Sequence, residues 1–360
     1  MVTKLLLVIP SLTSGGMERV MSELANNFSL YDNVEVHLLL YGRKKTIFYV
    51  LNNRVVVHYH NIQTQNRVVY LLKLIIYIRK LIKRLKPNAL LSFGEMYNSF
   101  ILLTCIGIPL PIYISDRSQP GKSFGFLFDL LKLISYRRAA GVIAQTTISA
   151  MLLRKIINNV NCVVIGNPIK IPIENNYICQ RENIILSVGR LIPSKNFDQL
   201  IEICSQIDLQ DWKLVIVGGN DESDTYNDLQ KKIKYYSMEE KIQLVGVQKD
   251  VSRFYYQSKI FAFTSSSEGF PNALGEAMAC KLPVVAYDCV AGPADLINGN
   301  NGFLVPLNDK EKFKNALSYL MNNDSEREKM GDEAFFTIKQ KFSTELISRK
   351  YFNFILNKHE

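Results

Sequence analysis

Two carboxylates, Glu268 and Glu276, and two cations, Arg190 and Lys195, have the types and spacing for chemistry on a charged ligand rich in hydroxyls. The glutamates sit in the stretch from Phe263 to Ala279. The apolar run Ile260 to Phe263 predicts the end of a buried strand, and three serines, Glu268 and Gly269 follow as a loop. Pro271 suits the first turn of a helix, because its missing N–H is one that a helix start leaves unbonded. The amides of Asn272, Ala273 and Leu274 would then face outward with roughly half a positive charge, a place for an anion or a set of oxygens. Glu276 lies one to two turns inside and leans back toward that start. A plainer reading makes Glu268 a solvated loop carboxylate and Glu276 a partner of the helix dipole.

Arg190 and Lys195 stand in Gly189-Arg190-Leu191-Ile192-Pro193-Ser194-Lys195-Asn196, between the apolar strand Ile184–Val188 and a helix from about Phe197. Two cations on a loop between strand and helix suit a clamp for a diphosphate. The chain contains no Asp-x-Asp, the commonest carboxylate arrangement for a metal bridging a nucleotide diphosphate. Charge on such a leaving group would therefore fall to the two cations and the helix amides, with no metal and no other cofactor.

The elements that must hold these residues alternate between strand and helix. Lys4–Ile9 reads as a strand, Pro10–Gly16 as a loop with paired glycines, and Met17–Phe28 as a helix, the layout that brings backbone amides near a phosphate. Strands follow at Val34–Leu40, Val55–Tyr59, Ala89–Phe93, Pro111–Ser115, Val142–Gln145 and Val163–Ile165. His58 and His60 share a strand face and, with no third ligand, read as ordinary strand residues. Ser115-Asp116-Arg117 falls at a strand end, where open α/β sheets place ligands. A polar stretch, Lys170–Asn183, reads as a linker. Beyond it strands at Leu214–Val217, Ile242–Val245 and Pro283–Ala286 are followed by Gly218-Gly219, Gly246-Val247 and the loop Val290–Pro293, and the chain is mostly helical from Asp309. The pattern predicts parallel, doubly wound sheets.

At this length two domains are expected. No apolar run approaches a membrane span of about 18–20 residues, and Met1–Ile9 lacks the features of a signal peptide. Six scattered cysteines (105, 162, 179, 204, 280, 289) fit reduced structural thiols in a cytoplasm. The net charge of +10 is uneven: residues 1–170 carry +14 and residues 171–360 carry −4. Arg67–Lys86 interrupts an apolar stripe with Lys73, Arg79, Lys80, Lys83, Arg84 and Lys86, and Lys122–Arg138 repeats that character. Such helices suit either a core face with a solvated basic edge or an anionic membrane surface.

Taken together these motifs resemble the retaining GT-B glycosyltransferases of family 4, the glycosyl transferases group 1, as found in bacterial surface-polysaccharide synthesis. The matching residues are Gly15-Gly16-Met17-Glu18-Arg19, Ser187-Val188-Gly189-Arg190 with Lys195-Asn196, Gly218-Gly219, Val245-Gly246, and Glu268 with seven residues before Glu276. The resemblance covers nearly the whole chain and is tighter in its second half. It implies two Rossmann-like domains facing a cleft: 1–169 for the acceptor, 170–342 for the nucleotide sugar, and 343–360 as a C-terminal helix crossing back. It implies that Arg190 and Lys195 hold the donor diphosphate, Glu276 the ribose, and Glu268 with Gly269, Phe270, Pro271 and Asn272 the transferred sugar. Val247 would meet the nucleobase, and Gly15 and Gly16 the donor phosphates from the first domain. Arg190, Lys195 and Glu268 would be the catalytic set, and Glu18 and Arg117 the acceptor contacts. Many relatives carry a histidine in the first domain, where this chain has Ser115-Asp116-Arg117.

The implied activity is transfer of a hexose or N-acetylhexosamine from a nucleotide sugar, UDP-linked, to a polyprenyl-diphosphate-linked saccharide for O-antigen or capsule. The enzyme would be peripheral on the cytoplasmic face of the inner membrane. A nucleotide-sugar epimerase on the same fold and a basic nucleic-acid-binding protein are the alternatives. The basic amphipathic helices disfavour the first. The paired glutamates, and the lack of a basic–aromatic reading motif, disfavour nucleic acid as a partner.

Overall fold

The computed structural model describes residues 2–157, 160–172, 180–219 and 224–357. The chain divides into two units, Met1–Pro168 with Thr344–Glu360, and Ile169–Ser343. Half of the stretch read as a linker, Cys179 included, lies outside the described residues.

The first unit is built on seven parallel strands: β1 Thr3–Ile9, β2 Val34–Leu40, β3 Val56–Tyr59, β4 Ala89–Phe93, β5 Ile112–Ser115, β6 Gly141–Ala144 and β7 Cys162–Val164. Their order is β3-β2-β1-β4-β5-β6-β7. β4 is buried along its whole length and β1 from Leu5 onward, as expected of parallel strands covered on both faces. The helices of this unit are α1 Gly16–Phe28, α2 Arg67–Leu85, α3 Glu95–Thr104, α4 Phe126–Ser135 and α5 Thr147–Ile156. Asn66 caps α2, its side chain accepting from the amides of Val68 and Val69. That helix stops where Lys86 turns left-handed before Pro87.

Lys122–Arg138 is not one helix. Lys122–Gly125 is loop, Gly125 has φ 103°, and α4 starts at Phe126. On the structure α2 exposes Val68, Leu72 and Ile76, while α4 exposes Phe126, Leu127, Phe128, Leu130 and Ile134. No helix among the described residues is long and apolar enough to cross a membrane.

The second unit has six parallel strands: β8 Ile184–Val188, β9 Lys213–Val217, β10 Ile242–Leu244, β11 Ile260–Phe263, β12 Val284–Asp288 and β13 Gly302–Pro306. Their order is β10-β9-β8-β11-β12-β13. Its helices are α6 Phe197–Ser205, α7 Asp224–Tyr235, α8 Ser252–Gln257, α9 Asn272–Ala279, α10 Pro293–Leu296, α11 Lys310–Asn322 and α12 Asp324–Lys341. β8 and β11 are adjacent, and strand order reverses there, so the loops leaving their C-terminal ends flank one crevice of the sheet. Those loops carry Arg190 and Lys195 on one side and Glu268 on the other.

The last helix, α13 Thr344–Ile355, returns to the first unit and packs on α1. The Phe352 ring stands 5.7 Å from Phe28 and 4.7 Å from Tyr31, and Phe354 fills the space left by Gly141, where a Cβ would fall 2.5 Å from its ring.

Candidate active site

The crevice between β8 and β11 is fixed by one backbone hydrogen bond and two from side chains to backbone carbonyls. The amide of Ser266 donates to the carbonyl of Ser194 at 2.8 Å. The Thr264 hydroxyl donates to the Lys195 carbonyl at 2.8 Å, and the Asn196 side-chain amide donates to the Thr264 carbonyl at 3.0 Å. Asn196 is itself left-handed, with φ 50°, a conformation asparagine tolerates, and it turns the loop into α6. These bonds hold the two loops in register. They bring Lys195 Nζ to 2.5 Å from Glu268 Oε1, with both side chains mostly shielded from water.

Around this ion pair the other residues take distinct positions. Arg190 is exposed, and among the described residues its guanidinium has no ion pair. Glu276 lies one turn into α9 and receives a hydrogen bond from the Tyr255 hydroxyl at 3.0 Å. Tyr255 is buried on α8 and also reaches the Ala273 carbonyl at 3.4 Å, so it pins the glutamate to the start of α9. Val247 is 74% exposed, just past the left-handed Gly246. Gly218, with φ 118°, lies so close to the Arg190 loop that a Cβ would fall 2.3 Å from the Gly189 carbonyl oxygen.

The start of α9 differs from the sequence expectation. Pro271 is not in the first helical turn. It precedes it as the cap residue, with φ −83° and ψ 72°. That tight turn lets the Asn272 amide donate to the Phe270 carbonyl at 3.0 Å, while Pro271's own carbonyl accepts from Gly275. Asn272 therefore does not offer a free backbone N–H. Among the described residues the amides of Ala273 and Leu274 make no backbone hydrogen bond. Gly292 packs against the Pro271 ring and brings up the loop Cys289–Gly292. Burial, reinforced by the charge of Glu268, pushes the Cys289 thiol up to about 11, so it stays protonated beside the site.

In the first unit Gly16 opens α1 and Gly15 precedes it in extended conformation. The Gly15 N–H donates to the Tyr49 hydroxyl at 3.0 Å, and that hydroxyl donates back to the Gly15 carbonyl at 2.8 Å. Both backbone groups of Gly15 are thus engaged by Tyr49. Glu18 folds back over the helix start, where a Cβ on Gly15 would fall 2.2 Å from its carboxylate oxygen. Burial raises its carboxyl above the usual range.

Arg117 is committed elsewhere. Its guanidinium donates to Asn167 at 2.6 Å and Tyr351 at 2.8 Å and lies 3.5 Å over the Phe93 ring, so it fastens α13 to the unit in place of offering an acceptor contact. Asp116 accepts from Lys132 at 2.6 Å, Tyr136 at 2.5 Å and Asn98 at 3.3 Å. Glu95 takes the amides of Arg117 and Ser118 at 3.0 and 2.8 Å, and burial, with the Asp116 charge, holds its carboxyl above the usual range. The Ser115–Asp116–Arg117 loop is in this way pinned by groups the motif reading missed. Among the described residues no cluster of three or more His, Cys, Asp or Glu could hold a metal ion.

Two doubly wound parallel units of this kind are the architecture of the GT-B glycosyltransferases. The chain belongs to the glycosyl transferases group 1 family, whose profile matches residues 170–335. It is 30% identical to the amylovoran biosynthesis glycosyltransferase AmsD of Erwinia amylovora, over 98% of this chain and 99% of that protein. It is 28% identical, over 92% of this chain and 93% of the relative, to a Campylobacter jejuni enzyme. That relative is the N-acetylgalactosamine-N,N'-diacetylbacillosaminyl-diphospho-undecaprenol 4-alpha-N-acetylgalactosaminyltransferase. The fold matches that of Anabaena HepE in complex with UDP, with a TM-score of 0.81 at 18% identity and 98% coverage of both chains. These findings favour a hexosyltransferase-type enzyme over the epimerase alternative.

Proposed function

We propose that this enzyme moves a hexose or N-acetylhexosamine from a UDP-sugar to a lipid-linked saccharide, with retention of anomeric configuration and without a metal. The observation that carries this reading is the 2.5 Å Lys195–Glu268 pair at the β8–β11 crevice, with Arg190 exposed on the same loop as Lys195 and Glu276 held in α9 by Tyr255. A donor would divide that pair. Its diphosphate takes Lys195 and Arg190, and its sugar hydroxyls take Glu268, so cation and carboxylate each exchange one partner for another. Glu276 would accept from the ribose hydroxyls, and the exposed Val247 would flank the base. As the glycosidic bond to phosphate breaks, negative charge grows on the leaving diphosphate, and fixed cations stabilise it more than they stabilise the intact donor. The departing phosphate oxygen would draw the proton from the attacking acceptor hydroxyl on the same face, which retains configuration.

Support for the acceptor class comes from the undecaprenyl-linked substrate in the name of the C. jejuni relative, and support for UDP from the ligand of HepE. The basic first half and the exposed apolar residues of α2 and α4 support a peripheral place on the cytoplasmic face of an anionic membrane. A donor screen following UDP, GDP and ADP release, with lipid extract as acceptor, tests the reading. UDP release that survives EDTA and falls ~10²–10³-fold in Arg190→Ala and Lys195→Ala is the expected result. Near-wild-type turnover by both variants would overturn the clamp, and strict dependence on added Mg²⁺ would overturn the metal-free reading.

A further inference from the structure

We propose that residues 43–50, between β2 and β3, form an apolar prong with a basic collar that enters an anionic lipid bilayer, and that Tyr49 couples the prong to the Gly15 turn. This rests on the membrane reading above and adds to it a second contact and a route from the lipid to the Gly15 turn.

Charge comes first. From Val36 to Gly94 the sequence contains no Asp or Glu and eleven Lys and Arg. Three of these, Arg43, Lys44 and Lys45, are consecutive and exposed at the base of the prong. A surface with one sign of charge over so long a stretch suits a partner of the opposite sign. The apolar tip follows. Phe48 is 65% exposed and Val50 89% exposed, with Ile47 beside them. Exposed apolar clusters rimmed by charge mark contacts with another apolar phase.

The tip is held in that posture. The Phe48 amide donates to the Leu12 carbonyl at 2.8 Å, and Ile47 and Leu12 form a parallel bridge. The Asn26 side chain donates to the Val50 carbonyl at 3.0 Å and accepts from the Asn52 amide at 2.7 Å. Because side chains alternate along an extended segment, this backbone turns Tyr49 inward and Phe48 and Val50 outward. The prong is also continuous with α2. Arg43 donates to the Thr64 carbonyl at 3.0 Å and stacks over the Tyr70 ring at 4.4 Å, next to the exposed Val68, Leu71 and Leu72. Basic side chains at lipid phosphates and apolar ones below them is the arrangement an anionic bilayer accepts.

Tyr49 links that surface to the start of α1. Its hydroxyl makes both hydrogen bonds of the Gly15 backbone described above, so a tilt of the prong on entering lipid is transmitted to the glycine turn.

The test is flotation with vesicles of phosphatidylglycerol and phosphatidylethanolamine in equal parts, joined to amide exchange at Gly15 and Gly16. The double variant Phe48→Ser, Val50→Ser changes only exposed side chains and is expected to fold as wild type and float at least ~10-fold less. Tyr49→Phe is expected to float normally, while the change in exchange that vesicles cause at Gly15 in wild type is lost. If the double variant floats like wild type and a Phe126→Ser, Leu127→Ser variant of α4 does not, the prong is overturned and the wider membrane reading stands. If wild type fails to float at low salt, both fall. Equal flotation on pure phosphatidylcholine vesicles overturns the anionic preference. An unchanged Gly15 response in Tyr49→Phe overturns the coupling.

Discussion

Lys195 and Glu268 neutralise one another, and that fact shapes what each neighbouring residue does. The pair keeps a cation and an anion ready in a shielded place, where either alone would carry a large desolvation penalty. Tyr255 does for Glu276 what Lys195 does for Glu268. It is a positioning residue, since its hydroxyl meets the carboxylate and also reaches the Ala273 carbonyl in the first turn of α9. Tyr255→Phe removes one charge-assisted hydrogen bond to the Glu276 carboxylate, worth about 1.5–3 kcal/mol. Donor KM is expected to rise at least ~10-fold with kcat little changed, as steady-state kinetics would show. A fall in kcat with unchanged KM would place Tyr255 in the chemistry instead.

A second residue-scale expectation concerns His58 in β3. Burial first, then the charges of His37 and Arg84, push its imidazole down to about 4. In the unfolded chain the same ring titrates near ~6.5, so between these values the unfolded state binds more protons and gains on the folded one. Stability should therefore fall as pH drops from about 6.5 to about 4, and His58→Gln should flatten that part of the profile in urea titrations.

The elements themselves were largely legible. Strands such as Leu5–Ile9 and Ala89–Phe93 are continuous apolar runs because a parallel sheet buries both faces, and the sequence carries that demand openly. β13, Gly302–Pro306, was missed because it is short, set among asparagines and glycines, and defined by pairing with β12. Lys122–Gly125 reads as helix because Phe124 continues the apolar residues of α4, yet it is loop. Local spacing places Arg190 and Lys195 on the loop after β8, Glu268 on the loop after β11 and Glu276 in α9, and the structure has them there. Tyr255, Tyr49 and Glu95 were not legible, because their partners lie far off in sequence, as with Tyr49 and Gly15. Pro271 was misplaced by one position, and with it the bonding of the Asn272 amide.

At this scale Gly218 offers a clear test. Gly218→Ala would put a side chain into a backbone conformation with φ 118° and onto the Gly189 carbonyl. A loss of about 1–3 kcal/mol in urea unfolding is expected, together with weaker donor binding as the Arg190 loop shifts.

For the molecule as a whole, composition and fold run in parallel. The unit with the excess of positive charge carries the exposed apolar helices, and the near-neutral unit carries the Lys195–Glu268 crevice. The chain leaves the first unit after Pro168 and returns to it at Thr344. A chain ending at Ser343 would uncover Phe28 and Phe93 and lose the fully buried Tyr351. Calorimetry of that truncation is expected to show the first unit melting early while the transition of the second persists.

The return of α13 also has a bearing on synthesis. A domain usually closes as its own residues emerge from the ribosome. Here the Tyr351 hydroxyl that anchors Arg117, and the Phe352 ring that covers Phe28, are translated after every residue of the second unit. The first unit must wait with an open flank while all of the second is made, so the earliest-made part of the nascent protein stays incomplete until α13 emerges.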